Sequence, residues 1–308
     1  MMGAEFVQLS LAPLLIGALA ATVCALPGNF LLLRRQALIG DAMSHVVLPG
    51  VVAGFLLSGG TSTLAMLLGA TAAALVAAGA IELVRRLGRV EPGAAMGVVF
   101  TAMFAGGVLL LEQSVGGDVH LDVEHALYGN LESLIWLDAT GWTSLLDPRA
   151  LAGAPPALPR LAVAVAILAI LTRLFWKELA LSTFDPGFAA SVGARPGLVG
   201  AGLAAATALA AVTAFEAVGS IIVIAMFVCP PAAARLMTDR LDRQVAWSLG
   251  FALAAAILGY VLAGYGPVWL GFAASVSAAG TMATVSGLIL LAACLWGPKR
   301  RRAGVTAV

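Results

Sequence analysis

Two groups of acidic and histidine side chains in this sequence have the composition of a metal site. Asp41 and His45 are four residues apart, in a polar stretch between two long apolar runs. If a helix starts at about residue 40, both side chains lie on one face, one turn apart. A carboxylate and an imidazole in that arrangement can hold one divalent cation. The alternative is structural: Asp41 caps the helix and His45 is an interior side chain.

The second group lies within six residues and contains His120, Asp122, Glu124 and His125. Its oxygen and imidazole ligands suit zinc, manganese or iron(II). In an extended segment, alternation places residues 120, 122 and 124 on the same side. If the group has a role, its charge favours concentrating cations at the entrance of a pathway. The alternative is a solvated acidic loop.

The elements that must position these residues are membrane-spanning helices. Of the 308 residues, 61% are hydrophobic and 11% are charged, whereas an average soluble domain has about 25% charged residues. Apolar runs of about 17–25 residues, the length that a helix needs to cross a bilayer, recur along the chain. The sequence therefore predicts an all-α polytopic membrane protein with a single transmembrane domain over residues 1–308. The net charge of +1 does not indicate a nucleic-acid partner.

We expect about nine spans, surrounded by lipid. They are placed at residues 10–33, 41–58, 64–84, 94–111, 158–175, 198–215, 217–236, 245–264 and 267–296, the last with a break. With nine spans, 15 of the 17 basic residues fall on one side, and only Arg149 and Arg160 fall on the other. An excess of Lys and Arg marks the cytoplasmic side. The N-terminus is therefore expected outside and the C-terminus in the cytoplasm.

Residues 112–157 form an outer acidic segment between the fourth and fifth spans. This segment holds 7 of the 16 acidic residues and two of the three histidines. Its part from 128 to 146 is moderately apolar but interrupted by glycines and acids. We predict an interfacial or re-entrant helix there, because a full span would put the following basic loops on the wrong side.

The inner loop, residues 177–197, contains its own helix signal. Asp185 is a good N-cap, Pro186 suits the first helical position, and Gly193 suits the position just past the end. The residues between them are mostly apolar. A short helix with an apolar face is suited to docking into a groove on a partner. The alternative is an ordinary connector.

The chain lacks several sequence motifs that are typical of ATP binding and of catalysis. There is no G-x-x-x-x-G-K-[ST] phosphate loop, so the chain does not bind ATP in that manner by itself. There is also no H-E-x-x-H and no G-x-S-x-G motif. An intramembrane enzyme is therefore unsupported.

Four stretches of the chain resemble the permease subunit of the zinc/manganese/iron class of ATP-binding-cassette importers. They are residues 33–45 with 48–50, residues 97–110 with 127–130, residues 184–193, and residues 218–235. The resemblance runs from about residue 10 to residue 296. One departure concerns the last span, where the family usually has a proline shortly before a glycine and this chain has Ser277-Ala278-Ala279-Gly280.

The resemblance implies a permease bundle of the vitamin B12/metal-chelate type in a bacterial cytoplasmic membrane. It implies a second permease copy, identical or paralogous, two cytoplasmic ATPases on separate chains, and an extracytoplasmic metal-binding protein. It makes Asp41 and His45 the expected pathway ligands. It also implies that one group of inner-loop residues couples the permease to the ATPase: Phe184, Asp185, Pro186, Ala189 and Gly193.

The expected cargo is Zn²⁺ or Mn²⁺, with Fe²⁺ as a third candidate, and no tightly bound cofactor is expected. Histidine beside a carboxylate slightly favours zinc. The rival function is a secondary metal transporter or channel that needs no ATPase. It predicts internal inverted repeats, which the sequence does not show, and it gives no role to the capped inner helix.

Overall fold

The computed structural model describes residues 5–59, 63–114, 131–269, 271 and 276–298, and within these ranges it is built from helices without strands. A π-helical turn, Val7–Leu11, leads into the first helix. The helices are α1 Ala12–Leu33, α2 Leu38–Ser58, α3 Thr63–Gly88, α4 Pro92–Ser114, α5 Ala157–Leu174, α6 Trp176–Phe184, α7 Pro186–Ser191, α8 Pro196–Val218, α9 Ser220–Met237, α10 Leu241–Trp269 and α11 Ala278–Trp296.

Nine of these helices have 18 residues or more, in agreement with the nine expected spans. Eight are long and apolar enough to cross a membrane, by length and composition. The ninth is α2, a helix of 21 residues whose described apolar part is Pro49–Ser58. The prediction of an all-α polytopic fold is therefore confirmed.

The prediction is wrong for the start of the last span. α10 continues through Pro267 to Trp269, whereas α11 begins only at Ala278. A proline near the end of a helix removes one hydrogen bond, and α10 tolerates that loss for the few residues that remain. The side chain of Ser277 accepts a hydrogen bond from the Gly280 N–H and caps α11. The break expected within 267–296 thus separates two helices.

The second correction concerns residues 128–146, where the sequence predicts an interfacial or re-entrant helix. The described part of this range contains no α-helix. It contains two short 3₁₀ turns, followed by a one-turn α-helix: Leu131–Ser133, Trp142–Leu146 and then Pro148–Ala152.

Trp136 explains why this segment is irregular. Its backbone N–H donates to the Gln8 carbonyl oxygen (2.9 Å) and its ring N–H donates to the Ala150 carbonyl oxygen (2.8 Å). The Trp136 side chain is buried in a small cluster with the start of α1. Gly141, at φ 157° and ψ −168°, adopts a backbone conformation that glycine alone tolerates well. Tertiary burial of one tryptophan therefore outweighs the helical tendency of the sequence.

Contacts between the loops show which connections share an end of the bundle. The α1–α2 connection meets the end of α6, because Arg34 bonds to Ser182 and Thr183. We call this end, with residues 34–37 and 182–195, the basic end. At the opposite end Arg160, at the start of α5, pairs with Glu216, near the end of α8. α5 and α8 therefore run in opposite directions between the two ends, as the nine-span arrangement predicts.

Glycines bring α2 into close contact with α3. A Cβ atom added at Gly69 of α3 would collide with the Gly50 carbonyl oxygen, and one added at Gly54 of α2 would collide with the Ala65 carbonyl oxygen. Small residues allow such backbone contact between helices in a membrane. α2 is therefore held tightly against α3 along its second half.

We expect Gly69→Ala to destabilise the bundle by about 1–3 kcal/mol, the usual effect of overpacking. The added methyl group meets the backbone of α2, which cannot rotate away as a side chain can. Gly79→Ala is the matched control, because it lies on the same helix and a Cβ atom there meets nothing within 4 Å. Thermal unfolding of both variants in detergent measures the effect. Equal melting temperatures for the two variants would contradict this account of α2–α3 packing.

Phe227 of α9 joins α1 and α2 at the basic end. A Cβ atom added at Gly28 of α1 would lie 2.5 Å from the Phe227 carbonyl oxygen. One added at Gly40 of α2 would lie 2.7 Å from Cγ of the Phe227 ring. Phe227 is itself buried. One residue thus contacts both helices next to the stretch that carries Asp41 and His45.

Candidate functional site

Asp41 and His45 lie on one continuous helix. α2 begins at Leu38 with Ala37 as its N-cap residue, so Asp41 is the fourth residue of the helix. The alternative in which Asp41 caps α2 is therefore wrong. The two positions are one turn apart on the same face, as the spacing predicts. Their side chains lie outside the described part of the structure, so metal binding by this pair stays a prediction.

The backbone around this pair lies inside the bundle. Ile39, Ala42 and Val46 are buried, and Gly40 packs against Phe227. The first turns of α2 therefore pack against α9, and the helix as a whole also contacts α3, α4 and α8. A helix in this place can carry ionisable residues only if protein or water surrounds them, because lipid contact is costly for a charge.

The second sequence-predicted group, His120, Asp122, Glu124 and His125, lies outside the residues that the structure describes. Its role in metal capture stays a prediction. Among the described residues, no group of three or more His, Cys, Asp or Glu side chains lies close enough to hold a metal ion.

The described residues that follow this group contact the ends of two spans. Glu132 accepts a hydrogen bond from the backbone N–H of Ala278, the first residue of α11. A carboxylate at this position also complements the positive end of the helix dipole. The outer segment is thus tied to α11 by Glu132 and to the start of α1 by Trp136.

The helix signal in the inner loop is confirmed at both ends. The Asp185 carboxylate accepts a hydrogen bond from the Phe188 N–H (2.8 Å), and Pro186 occupies the first turn of α7. At the other end Gly193 adopts φ +86°. The Gly193 N–H donates to the Ala190 carbonyl oxygen, and the Ala194 N–H donates to the Ala189 carbonyl oxygen. This pair of bonds is the Schellman motif, in which glycine is preferred for its positive φ.

α7 exposes apolar side chains although it lies between two spans. Phe188 is 53% exposed and Val192 is 55% exposed, one turn apart, while Phe184 just before the helix is 58% exposed. Ala189 on the other face is fully buried. We call Phe184, Phe188 and Val192 the coupling patch, after the ATPase-coupling role that the family resemblance implies for this loop. An apolar patch on a rigid, doubly capped helix has the form of a docking surface.

Arg34 is a residue whose role was missed in the sequence. Its Nε donates to Thr183 Oγ1 (3.1 Å) and its Nη2 donates to Ser182 Oγ (2.7 Å). Burial lowers the pKa of the Arg34 guanidinium from its ordinary value, although an arginine remains charged at neutral pH. We call this contact the Arg34 junction. It connects the residues just before α7 to the connection that leads into α2.

The turn that holds Arg34 is tight. Arg35 adopts φ +58°, and the Gln36 N–H donates to the Leu31 carbonyl oxygen (2.8 Å). A residue other than glycine pays about 1–2 kcal/mol in this left-handed region. The signal available in the sequence was the pair of arginines directly after an apolar run, and it did not identify the hydroxyl partners 148 residues away.

The sequence profile of the ABC 3 transport family matches residues 6–138 and 155–297 of this chain. The chain is 36% identical over 282 residues to the manganese transport system membrane protein MntD of Bacillus subtilis, covering 92% of this chain and 90% of that protein. It is 37% identical over 285 residues to the zinc transport system membrane protein TroD of Treponema pallidum, covering 92% of this chain and 73% of that protein.

A solved structure shares the architecture. PsaBC from Streptococcus pneumoniae, determined in complex with Fab, superposes with a TM-score of 0.72 at 25% sequence identity, over 96% of this chain and 94% of that chain. The family match over residues 6–138 and 155–297 includes all nine long helices and both short helices of the inner loop. The similarity therefore extends over the candidate pathway stretch and the coupling patch together.

Proposed function

The chain belongs to the ABC 3 transport family, and from this premise we propose that it is the transmembrane subunit of an ATP-driven importer of divalent transition-metal ions. The observation that carries the proposal is the similarity over 92% of the chain to membrane proteins of manganese and zinc transport systems. One of these relatives is named as a manganese transport protein and the other as a zinc transport protein, so both metals are candidate cargo. Histidine beside carboxylate in the pathway gives zinc a slight preference.

The proposed path for the metal passes Asp41 and His45. The position of both residues on one face of α2, beside the buried Ala42 and Val46 of the same turns, supports this role. A site with two protein ligands holds a divalent ion weakly unless water or a second copy completes it. Weak binding in at least one state is required, because a transported ion must leave as well as enter. The second permease copy, identical or paralogous, would face the same path.

The proposed coupling runs from the ATPase through the inner loop to α2. A separate ATP-binding-cassette subunit docks on the coupling patch and moves α7. The Arg34 junction carries that movement to the α1–α2 connection. Arg34 lies four residues before Leu38, where α2 begins, and Asp41 lies in the first turn of that helix. ATP hydrolysis then takes place on the partner chain, and this chain supplies the path.

The proposed orientation places the basic end in the bacterial cytoplasm and the N-terminus outside. The clustering of arginines at that end supports it. The acidic outer segment then faces an extracytoplasmic metal-binding protein, which delivers the ion. His120, Asp122, Glu124 and His125 are proposed to concentrate cations there by charge.

Uptake of labelled zinc, manganese and iron(II) tests the proposal. Cells without their own importers would express this chain with its ATPase and metal-binding protein. We expect uptake of one metal that stops when the ATPase carries a catalytic mutation. Accumulation that continues with the inactive ATPase would support the secondary transporter or channel instead. Absence of uptake for all three metals at normal membrane levels would contradict the metal assignment.

Breaking the Arg34 junction should lower uptake by at least about tenfold, the effect of losing one such hydrogen bond, without releasing the ATPase. Hydrogen bonds to a charged group contribute about 1.5–3 kcal/mol each, and the coupling patch itself is untouched. Arg34→Ala and the double variant Ser182→Ala/Thr183→Val remove the two sides of the same contact. We therefore expect similar losses from each and little further loss from their combination.

Ser191→Ala is the matched control for this experiment. Its hydroxyl lies on the same loop but donates only to the Phe188 carbonyl oxygen of its own helix (2.8 Å). Uptake should stay near the wild-type level. Losses that add fully when Arg34→Ala is combined with the double variant would show that the two sides act separately and would remove the junction from the coupling route.

A further inference from the structure

A cavity of about 1030 Å³ opens at the basic end between α3 and α8. Three guanidinium groups line its mouth: Arg34, Arg85 and Arg195. Its inner part is lined by small and apolar side chains, among them Leu75 and Ala78 of α3 and Ala201 and Ala204 of α8. The cavity is therefore basic at the end of the spans and apolar inside the membrane region.

The positive charge at the mouth is only partly balanced. Arg85 pairs with Glu82 (2.8 Å). Among the residues that the structure describes, no carboxylate forms an ion pair with Arg34 or Arg195. Arg34 uses Nε and Nη2 for hydroxyl partners, and its Nη1 lies beside Gly200 of α8. The N–H groups of Nη1 and of Arg195 therefore remain available to an anion.

The start of α8 adds to this positive potential. Arg195 occupies the N-cap position without a side-chain hydrogen bond to the helix, and Pro196 follows it. Gly197 and Leu198, whose N–H groups belong to the first turn, line the cavity. Unsatisfied N–H groups and the helix dipole favour an anion at this place.

The dimensions of the cavity identify the kind of anion. From Arg85 to Leu75 the α3 wall rises by ten residues, or about 15 Å at 1.5 Å per residue. A soluble anion would leave this apolar interior empty, whereas an acyl chain fills it. A second apolar cavity of about 360 Å³ lies on the other side of Leu198, between α1, α5 and α8. The basic mouth also repels divalent cations and attracts anions.

We propose that this cavity binds an anionic glycerophospholipid of the membrane leaflet at the basic end. The phosphate group lies among Arg34, Arg85 and Arg195, and one acyl chain enters between α3 and α8. Basic pockets between membrane helices bind anionic lipid head groups in this way. Since the lipid touches both walls, it also fixes α8 and the Arg34 junction relative to α3. The inference requires that the chain crosses a membrane, and it does not depend on metal transport.

Native mass spectrometry of the full-length permease in detergent tests the proposal, with dioleoyl phosphatidylglycerol and dioleoyl phosphatidylcholine as probes. We expect the wild-type permease to bind phosphatidylglycerol at least about fivefold more strongly than phosphatidylcholine. Arg195→Gln should weaken phosphatidylglycerol binding about fivefold, the effect of one arginine near a charged surface. Arg173→Gln is the matched control, because Arg173 is exposed near the same end and does not line the cavity. It should bind phosphatidylglycerol like the wild type.

A second variant tests the shape instead of the charge. Ala201→Leu keeps every arginine but fills the apolar interior, so it should weaken phosphatidylglycerol binding as well. Equal retention of both lipids by the wild type would overturn the proposal. If millimolar inorganic phosphate displaces phosphatidylglycerol and Ala201→Leu does not weaken its binding, the ligand is a soluble anion and the proposal is overturned. Release of the ATPase by Arg195→Gln, with lipid binding unchanged, would assign the mouth to the ATPase interface and would also overturn it.

Discussion

Replacing either Asp41 or His45 with alanine should abolish metal uptake while the permease still reaches the membrane at its normal level. The two residues lie one turn apart on the same face of α2, whose first turns bury Ile39, Ala42 and Val46, and Asp41 is not the cap of that helix. Loss of an outer-shell partner of a metal ligand already costs about 10–100-fold. Loss of a ligand itself should therefore lower uptake by more than about 100-fold. Labelled-metal uptake, normalised to membrane protein level, measures the change.

Two controls separate this result from a general effect of removing a histidine or an acid. His125→Ala removes a histidine from the outer group and should leave most of the uptake at saturating metal. Asp242→Asn removes an exposed acid that pairs with Arg240 and should have no effect. Uptake that survives both Asp41→Ala and His45→Ala would exclude the pair from the path and direct attention to the outer group.

Phe188→Ala should weaken binding of the ATPase by about 30-fold and lower uptake in proportion. Phe188 lies in the middle of the coupling patch and is 53% exposed on a helix that is capped at both ends. Truncation of a central aromatic residue at an interface typically costs about 2 kcal/mol or more, which is about 30-fold in affinity. Co-purification of the ATPase with the tagged permease, followed by a titration, gives the affinity.

Phe175→Ala is the matched control for the coupling patch. Phe175 is 48% exposed, lies between α5 and α6 near the same end, and does not belong to α7. Its removal should leave ATPase binding within about twofold of the wild type, as expected for a residue outside a hot spot. An equal loss for both variants would mean that the ATPase contacts the whole basic end and that α7 has no special role.

The sequence was sufficient where a signal is local. Asp185, Pro186 and Gly193 mark the ends of α7 through their own backbone preferences, and the structure confirms each of them. The nine long helices follow from apolar runs in the same way, because a bilayer fixes their length. The spacing of Asp41 and His45 was enough to place them on one face of a helix.

The sequence was insufficient where a distant contact decides. The irregular outer segment follows from the burial of Trp136 beside the start of α1, more than a hundred residues away. The Arg34 junction joins residues 148 positions apart, and no periodic pattern connects them. In both cases, the local preference was weaker than the tertiary contact.

The position of Phe227 limits how the permease can move between its states. Its carbonyl group blocks any closer approach at Gly28, and its ring does the same at Gly40. Packed interiors resist continuous deformation, so we expect α1, α2 and α9 to turn as one rigid lever. The Arg34 junction then acts near the base of that lever. The hinge would lie in the connections around it, where a small rotation displaces residues further along α2 by a larger distance.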